Sequence, residues 1–283
     1  MLYLPESPLT NASIWAALEP LGFIGTLACH TQVASTMDLA RTLVQQQPAA
    51  PLPGLIVADE QTAGRGRQGR PWLAPPGTAL LFSLALRPTW MPPQQGVALV
   101  WMLAVALSEA VEAVSPLRPA LKWPNDLLVA TNLSKEDTQN SAHRFPANWA
   151  KTAGILLDVQ LSAERIEWAI LGCGVNLRAA PPPEATPYPT TSLAAAGAMV
   201  ERLPLLTALV ARLAFWYEQL ANGAANTLFL AWRSRLITLG QPVSIITANG
   251  TLVGYATDVT PNGSLVVRDQ AGSLHTIASG DVG

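Results

Sequence analysis

Charge is scarce in this chain. Only 13% of its 283 residues are charged, about half the share usual in a globular protein, and the net charge is -2. A broad basic surface for nucleic acid is thereby excluded. Cysteine is scarcer still: Cys29 and Cys173 are too few and too far apart for a disulfide framework or a cysteine metal site. His30, His143 and His275 have no metal-ligand spacing. The longest apolar run, Val97 to Leu107, has eleven residues, short of the roughly 20 that cross a bilayer, and reads as a buried helix. The first residues, Met1-Leu2-Tyr3-Leu4-Pro5-Glu6, carry no charged-then-apolar leader, which points to a reducing cytoplasm and away from a membrane. What the chain does have is apolar mass. With 49% hydrophobic residues it can bury a large core.

Periodicity gives a mixed α and β order. Strands are expected at 54–59, 79–86, 121–129, 154–160 and 167–177, where apolar residues alternate or run continuously. Helices are expected at 37–47, 94–113, 203–221 and 227–239, the first capped by Ser35-Thr36 with Asp38 in its first turn. Without regular βαβ alternation the chain reads as α+β with a largely antiparallel sheet. Polar residues 131–150 and the five prolines of 179–190 read as loops inserted between these elements. From Gln241 onward short strands alternate with Asn249-Gly250 and Pro261-Asn262-Gly263, which predicts a small all-β barrel. The expected division is 1–239 for a first domain and 240–283 for a second.

The scarce charge is concentrated. Residues 64–70 read Gly-Arg-Gly-Arg-Gln-Gly-Arg, three glycines and three arginines after the strand Leu55-Ile56-Val57-Ala58. Glycine lets backbone N–H groups approach a ligand, and arginine supplies permanently charged forks, so the loop is suited to an anion. Its mobility and mutual arginine repulsion predict a loop that stays open until an anion orders it. Gly64, Gly66 and Gly69 fit the dinucleotide pattern G-x-G-x-x-G, but Pro71, Pro75 and Pro76 prevent the helix that pattern must open.

Further along, Lys122-Trp123-Pro124-Asn125-Asp126 is either a polar cluster for phosphate or ordinary turn chemistry. Lys151 precedes a buried strand in which Gly154 permits close approach, although a lysine there is commonly an exposed charge. Gly172-Cys173-Gly174-Val175-Asn176 is a strand with a bulge or a site edge. Cys173 reads as a small buried hydrophobe and not as a nucleophile.

In order, Ser35-Thr36, then 60–72 (Glu-Gln-Thr-Ala-Gly-Arg-Gly-Arg-Gln-Gly-Arg-Pro-Trp), Lys122 to Asp126, Lys151 to Leu156 and Gly172 to Asn176 resemble the biotin protein ligases. The resemblance covers positions 30 to 178 and implies a class II aminoacyl-tRNA synthetase-like catalytic domain of biotin/lipoate ligase type with a C-terminal SH3-like barrel. It implies that biotin and ATP give biotinyl-AMP and pyrophosphate, and that biotin then passes to a lysine of a biotin carboxyl carrier protein or domain of acetyl-CoA carboxylase. It implies catalytic roles for Arg67, Lys151 and Lys122, and biotin contacts from Ser35, Thr36, Gln61, Gly64, Arg65, Gly66, Arg67, Lys151 and Gly154. Arg70, Trp72, Asn125, Asp126 and Asn176 would serve ATP and Mg2+, the ion arriving with ATP and having no dedicated protein site. A homodimer is compatible with the resemblance, and DNA binding is not expected, since nothing here resembles the N-terminal module of bifunctional relatives. Met37 stands where the family often has asparagine. Lipoate and octanoate ligases share this chemistry, but their resemblance would not run through the Gly-Arg-Gly-Arg and Lys-Trp-Pro-Asn-Asp segments.

Overall fold

The computed structural model describes residues 8–131, 148–186, 188–247 and 250–282. Seven strands form one sheet in the order β1-β2-β3-β7-β6-β5-β4: β1 (Thr26–Val33), β2 (Gly54–Gln61), β3 (Ala79–Leu86), β4 (Ala120–Lys122), β5 (Asp126–Ala130), β6 (Trp149–Leu161) and β7 (Ile166–Asn176). Only β1 and β2 run parallel; every other neighbouring pair is antiparallel, as an α+β chain without βαβ alternation should give.

Helices α1 (Asn11–Leu18), α3 (Val97–Val114), α4 (Arg202–Ala221) and α5 (Ala225–Arg233) belong to the main core, with α3 lying against β5, β6, β7, α4 and α5. The apolar run at 97–107 is therefore this central helix, buried on nearly every side, which accounts for its hydropathy without a membrane. On α2 (Thr36–Gln46), Met37, Ala40, Leu43 and Val44 form a second, smaller cluster with Ile56, Ala85 and Ile170 of the sheet. A buried ion pair, Arg202 to Asp59, ties the start of α4 to β2.

Three expectations need correction. The stretch 121–129 is not one strand but the hairpin β4–β5, turning through Trp123-Pro124-Asn125, because proline has no N–H to give a ladder. The last helix ends at Arg233 rather than Leu239; residues 235–237 instead pair with Leu121, which covers the edge of β4. Ser35 stands at the N-cap of α2 yet makes no capping hydrogen bond, and the hydroxyl of Thr36, the next residue, meets Ser83 of β3. The polar segment expected at 131–150 falls largely outside the described residues, and Trp149 and Ala150 already belong to β6.

The C-terminal strands β8 (Pro242–Thr247), β9 (Gly250–Val259), β10 (Leu265–Asp269), β11 (Leu274–Ile277) and β12 (Asp281–Val282) make an antiparallel sheet in the order β11-β10-β9-β8-β12. A hairpin forms where Asn249-Gly250 pointed, but Thr247 pairs with Gly250, so Gly250 is already the first residue of β9 and not a turn residue; Gly263 takes a φ of 82° in the 261–263 turn. This sheet is fused to the rest. Trp123 Nε1 donates to the Gly263 carbonyl at 2.8 Å, Arg233 pairs with Asp258 at 2.7 Å, and Val243, Ile245, Val259 and Val267 join the main core cluster.

Candidate functional site

A cleft opens on the face of the sheet that carries α2. Its floor follows from three glycines on paired strands. Gly154 of β6 faces Gly174 of β7 in register, and Gly172 lies two residues along. The Trp72 indole rests on this floor: a β-carbon on Gly174 would stand 2.3 Å from it. One on Gly172 would stand 2.6 Å from the Met37 sulfur. Glycine is thus required here by close approach, not by backbone twist. The indole N–H of Trp72 is buried without a partner among the described residues.

The segment 64–72 forms one wall. It was expected to be open, but it is folded, with Gly66 N–H donating to the Arg70 carbonyl at 2.8 Å and Trp72 N–H to the Gly64 carbonyl at 2.9 Å. The reason lies in its partners. Arg65 meets Asp38 at 2.5 Å, and Arg70 meets Asp281 of β12, the Tyr188 hydroxyl at 3.1 Å and Gln68 at 2.8 Å. Arg67 reaches Asn125 Oδ1 at 3.2 Å, and burial lowers its pKa from the ordinary arginine value. Nearby carboxylates thus relieve the repulsion that composition alone implies.

Strand ends deliver the remaining polar groups. Lys151 of β6 pairs with Asp126 of β5 at 2.7 Å. Asn125 donates to the Ile155 carbonyl at 2.6 Å while accepting from Arg67, so it acts as a brace between the loop and β6. Asn176 donates to the Thr191 carbonyl at 3.2 Å, leaving its Oδ1 buried with no partner among the described residues. At the other end of the cleft, Gln61 Oε1 accepts from the Thr36 N–H at 2.8 Å and from the Thr36 hydroxyl at 3.1 Å, and that hydroxyl meets Ser83 Oγ at 2.8 Å.

Most residues singled out in the sequence come together here. Ser35, Thr36, Gln61, Arg65, Gly66, Arg67, Arg70, Trp72, Asn125, Asp126, Lys151, Gly154 and Asn176 line the cleft. Gly64 and Lys122 do not. Gly64 packs under the Trp72 carbonyl, and Lys122 lies in a smaller adjoining hollow beside Asp126, Lys151 and Tyr188. Lys122 is only 6% exposed, with Nζ 3.9 Å from the centre of the Tyr188 ring. Burial brings its pKa down to about 8, against the opposing pull of Asp126. Cys173 is buried and burial pushes its thiol well up, as befits a core residue. Tyr188, Ser83 and Asp281 were missed. Tyr188 comes from the proline-rich segment, whose end is held by Lys151 N–H donating to the Pro189 carbonyl at 2.9 Å.

The cleft therefore has an uncharged hydrogen-bonding end at Thr36 and Gln61, an apolar floor, and a cationic end at Arg67, Arg70 and Lys151. An α+β enzyme fold with such a cleft defines a carboxylate- or phosphate-handling class, and the same fold occurs in the biotin protein ligase of Aquifex aeolicus solved with biotin and ATP. The two superpose with a TM-score of 0.69 at 24% identity over 91% of this chain and 97% of that one. Residues 30–176 match the model of the biotin/lipoate A/B protein ligase family, and residues 238–282 match the biotin protein ligase C-terminal domain. The biotin--[acetyl-CoA-carboxylase] ligase of Paracoccus denitrificans is 34% identical, with 83% of this chain and 94% of that protein covered. The bifunctional ligase/repressor BirA of Bacillus subtilis is 30% identical over 90% of this chain and 73% of that protein. This chain belongs to the biotin/lipoate A/B protein ligase family.

Proposed function

We propose that the chain is an ATP-dependent biotin protein ligase acting on the biotin carboxyl carrier domain of acetyl-CoA carboxylase in the cytoplasm. The observation that carries this reading is the polarity of the cleft. Biotin has a neutral fused ring at one end and a carboxylate at the other, and the cleft offers neutral hydrogen-bonding groups at one end and cations at the other. The ring sits by Ser35, Thr36 and Gln61; the carboxylate lies by Lys151 and Arg67.

A carboxylate oxygen of biotin attacks the α-phosphorus of ATP, and pyrophosphate leaves with the electrons of the broken P–O bond. This brings an anion onto a polyanion, which is opposed unless fixed positive charge stands ready. Lys151 and Arg67 supply it at the carboxylate and α-phosphate, with Arg70 and Lys122 toward the leaving group. The product is a mixed anhydride that water would destroy, so a folded wall over the cleft protects it. The carrier lysine amine then attacks the biotinyl carbonyl, AMP leaves, and an amide forms. Mg2+, when bound with ATP, neutralises phosphate charge. Asn176 Oδ1, buried with no hydrogen-bond partner among the described residues, would be available to it or to the nucleotide, with Asp126 of the Lys151 ion pair nearby; among the described residues no cluster of three or more His, Cys, Asp or Glu could hold a metal by itself. The residues described before position 30 include α1, packed on α4 and β1, and take part in this fold; we assign them no role with DNA.

The test is exchange of pyrophosphate into ATP. It should depend on biotin and not on lipoate, and Lys151→Ala should lower it by roughly 100- to 1,000-fold, the usual loss for one preorganised charge-stabilising donor. Exchange driven equally by lipoate would remove the biotin assignment.

A further inference from the structure

Away from the cleft, a second hollow of about 330 Å3 opens where the start of α3, the start of α5 and the 261–263 turn of the C-terminal sheet meet. That volume is within the usual range for a small-ligand site, and the mechanism above uses none of the residues around it. Trp101 of α3 forms the floor, and Phe229 of α5 packs beside it with ring centroids 5.4 Å apart. Pro261 adds an apolar wall. No charged side chain lines the hollow.

Two helices begin here. Val97 and Ala98 open α3, Ala225 and Asn226 open α5, and all four line the hollow. The first N–H groups of a helix have no acceptor within it, and neither of these ends has a side-chain cap or an acidic residue in its first turn. Partial positive charge therefore meets the hollow from two directions. A buried side chain points the same way. Trp101 is only 3% exposed, and its indole N–H makes no hydrogen bond to any described residue, whereas Trp123 and Trp216 donate theirs to Gly263 and Glu109. A β-carbon on Gly263 would stand 3.4 Å from the Trp101 nitrogen, so the N–H edge faces the turn whose Pro261 and Asn262 wall the hollow. A buried donor with no acceptor is costly, and a ligand that brings the acceptor accounts for it.

We infer that this hollow is a second ligand site, for a flat aromatic carboxylate whose ring lies against Trp101 and Phe229 and whose carboxylate accepts from Trp101 and from the two helix ends. The donors select an anion. The aromatic floor selects a flat ring over an inorganic ion. An occupant touches α3, α5 and the 261–263 turn together, so it ties the C-terminal sheet to the main core.

Titration calorimetry on the full chain with 2-naphthoate and its uncharged counterpart 2-naphthamide tests this. Wild type should bind the carboxylate at least about tenfold more tightly than the amide, as for a charge received by several oriented N–H groups. Asn226→Asp keeps the shape of an exposed residue and sets a carboxylate where the ligand's would come. It should weaken naphthoate by about tenfold or more and leave naphthamide unchanged, and the fold should hold because an acidic residue early in a helix is favourable. Trp101→Phe, which keeps an aromatic ring and removes the N–H, should weaken naphthoate by about three- to tenfold. If Trp101→Phe does not fold, Asn226→Asp decides alone. Naphthoate held by the cations of the cleft instead would bind both variants as it binds wild type. No binding to wild type, equal binding of acid and amide, or naphthoate affinity unchanged in either folded variant would overturn the inference. No biotin enters the experiment, so its outcome is independent of the proposed function.

Discussion

At the scale of single residues, Lys122 shows how burial turns an ordinary charge into a pH-dependent one. Its folded pKa is about 8 against 10.5 for the free side chain, with desolvation the largest cause. Between those values the unfolded chain holds a proton that the folded chain has released. Stability from this group therefore rises with pH across that window, while positive charge beside the cleft is lost. Adenylation should fall above about pH 8, and Lys122→Arg, which stays charged, should abolish that limb. A pH profile of single-turnover biotinyl-AMP formation that is identical in both proteins would show that the limb belongs to another group. The polar residues legible in the sequence were those set in a pattern: Arg65, Arg67 and Arg70 among glycines, and Lys151 before a glycine-bearing strand. Ser83, Tyr188 and Asp281 had no such pattern. Each enters the site through strand pairing or chain return from up to some 200 positions away, as when Arg67 reaches the carbonyl of Gly280 at 3.4 Å.

At the scale of elements, the strands expected at 54–59 and 79–86 were readable because continuous apolar runs are buried on both faces, and β3 is buried at all eight positions. Conversely, the β4–β5 hairpin was read as one strand, because apolar periodicity runs through both arms and does not register the reversal between them. The glycines of β6 and β7 were visible, but what they make room for was not. That Trp72 and Met37 occupy the space is a fact of tertiary packing. Gly174→Ala should push the Trp72 indole out of the cleft, since the added carbon meets it at 2.3 Å with strand backbone behind. Overpacking of this kind costs about 1–3 kcal/mol, so biotin affinity should fall by roughly tenfold or more while the strand pairing persists. Titration calorimetry showing unchanged affinity would mean that Trp72 has another resting place and does not shape the ligand site.

For the whole molecule, the C-terminal sheet is less separable than a composition change at Gln241 implies. The turn at 261–263 receives the Trp123 indole N–H, the strand β12 meets Arg70, and the apolar residues of β8 to β10 continue the main core. The expected division at 239/240 implies that a chain ending at Leu239 keeps a folded core. With these contacts on view, truncation should leave Trp123 unpaired, at about 1–3 kcal/mol for a buried polar group, and should unmoor the arginine loop. Thermal unfolding and biotin-dependent exchange should both suffer; a truncated chain with the full chain's melting temperature and exchange rate would refute this. The central claim, that the cleft activates biotin for transfer to a carrier lysine, is tested most directly by incubating the full chain with labelled biotin, ATP and an isolated biotin carboxyl carrier domain. The label should appear on one lysine of that domain, require ATP, and be lost when that lysine is replaced; ATP-independent labelling, or no labelling of a competent carrier, would contradict the account.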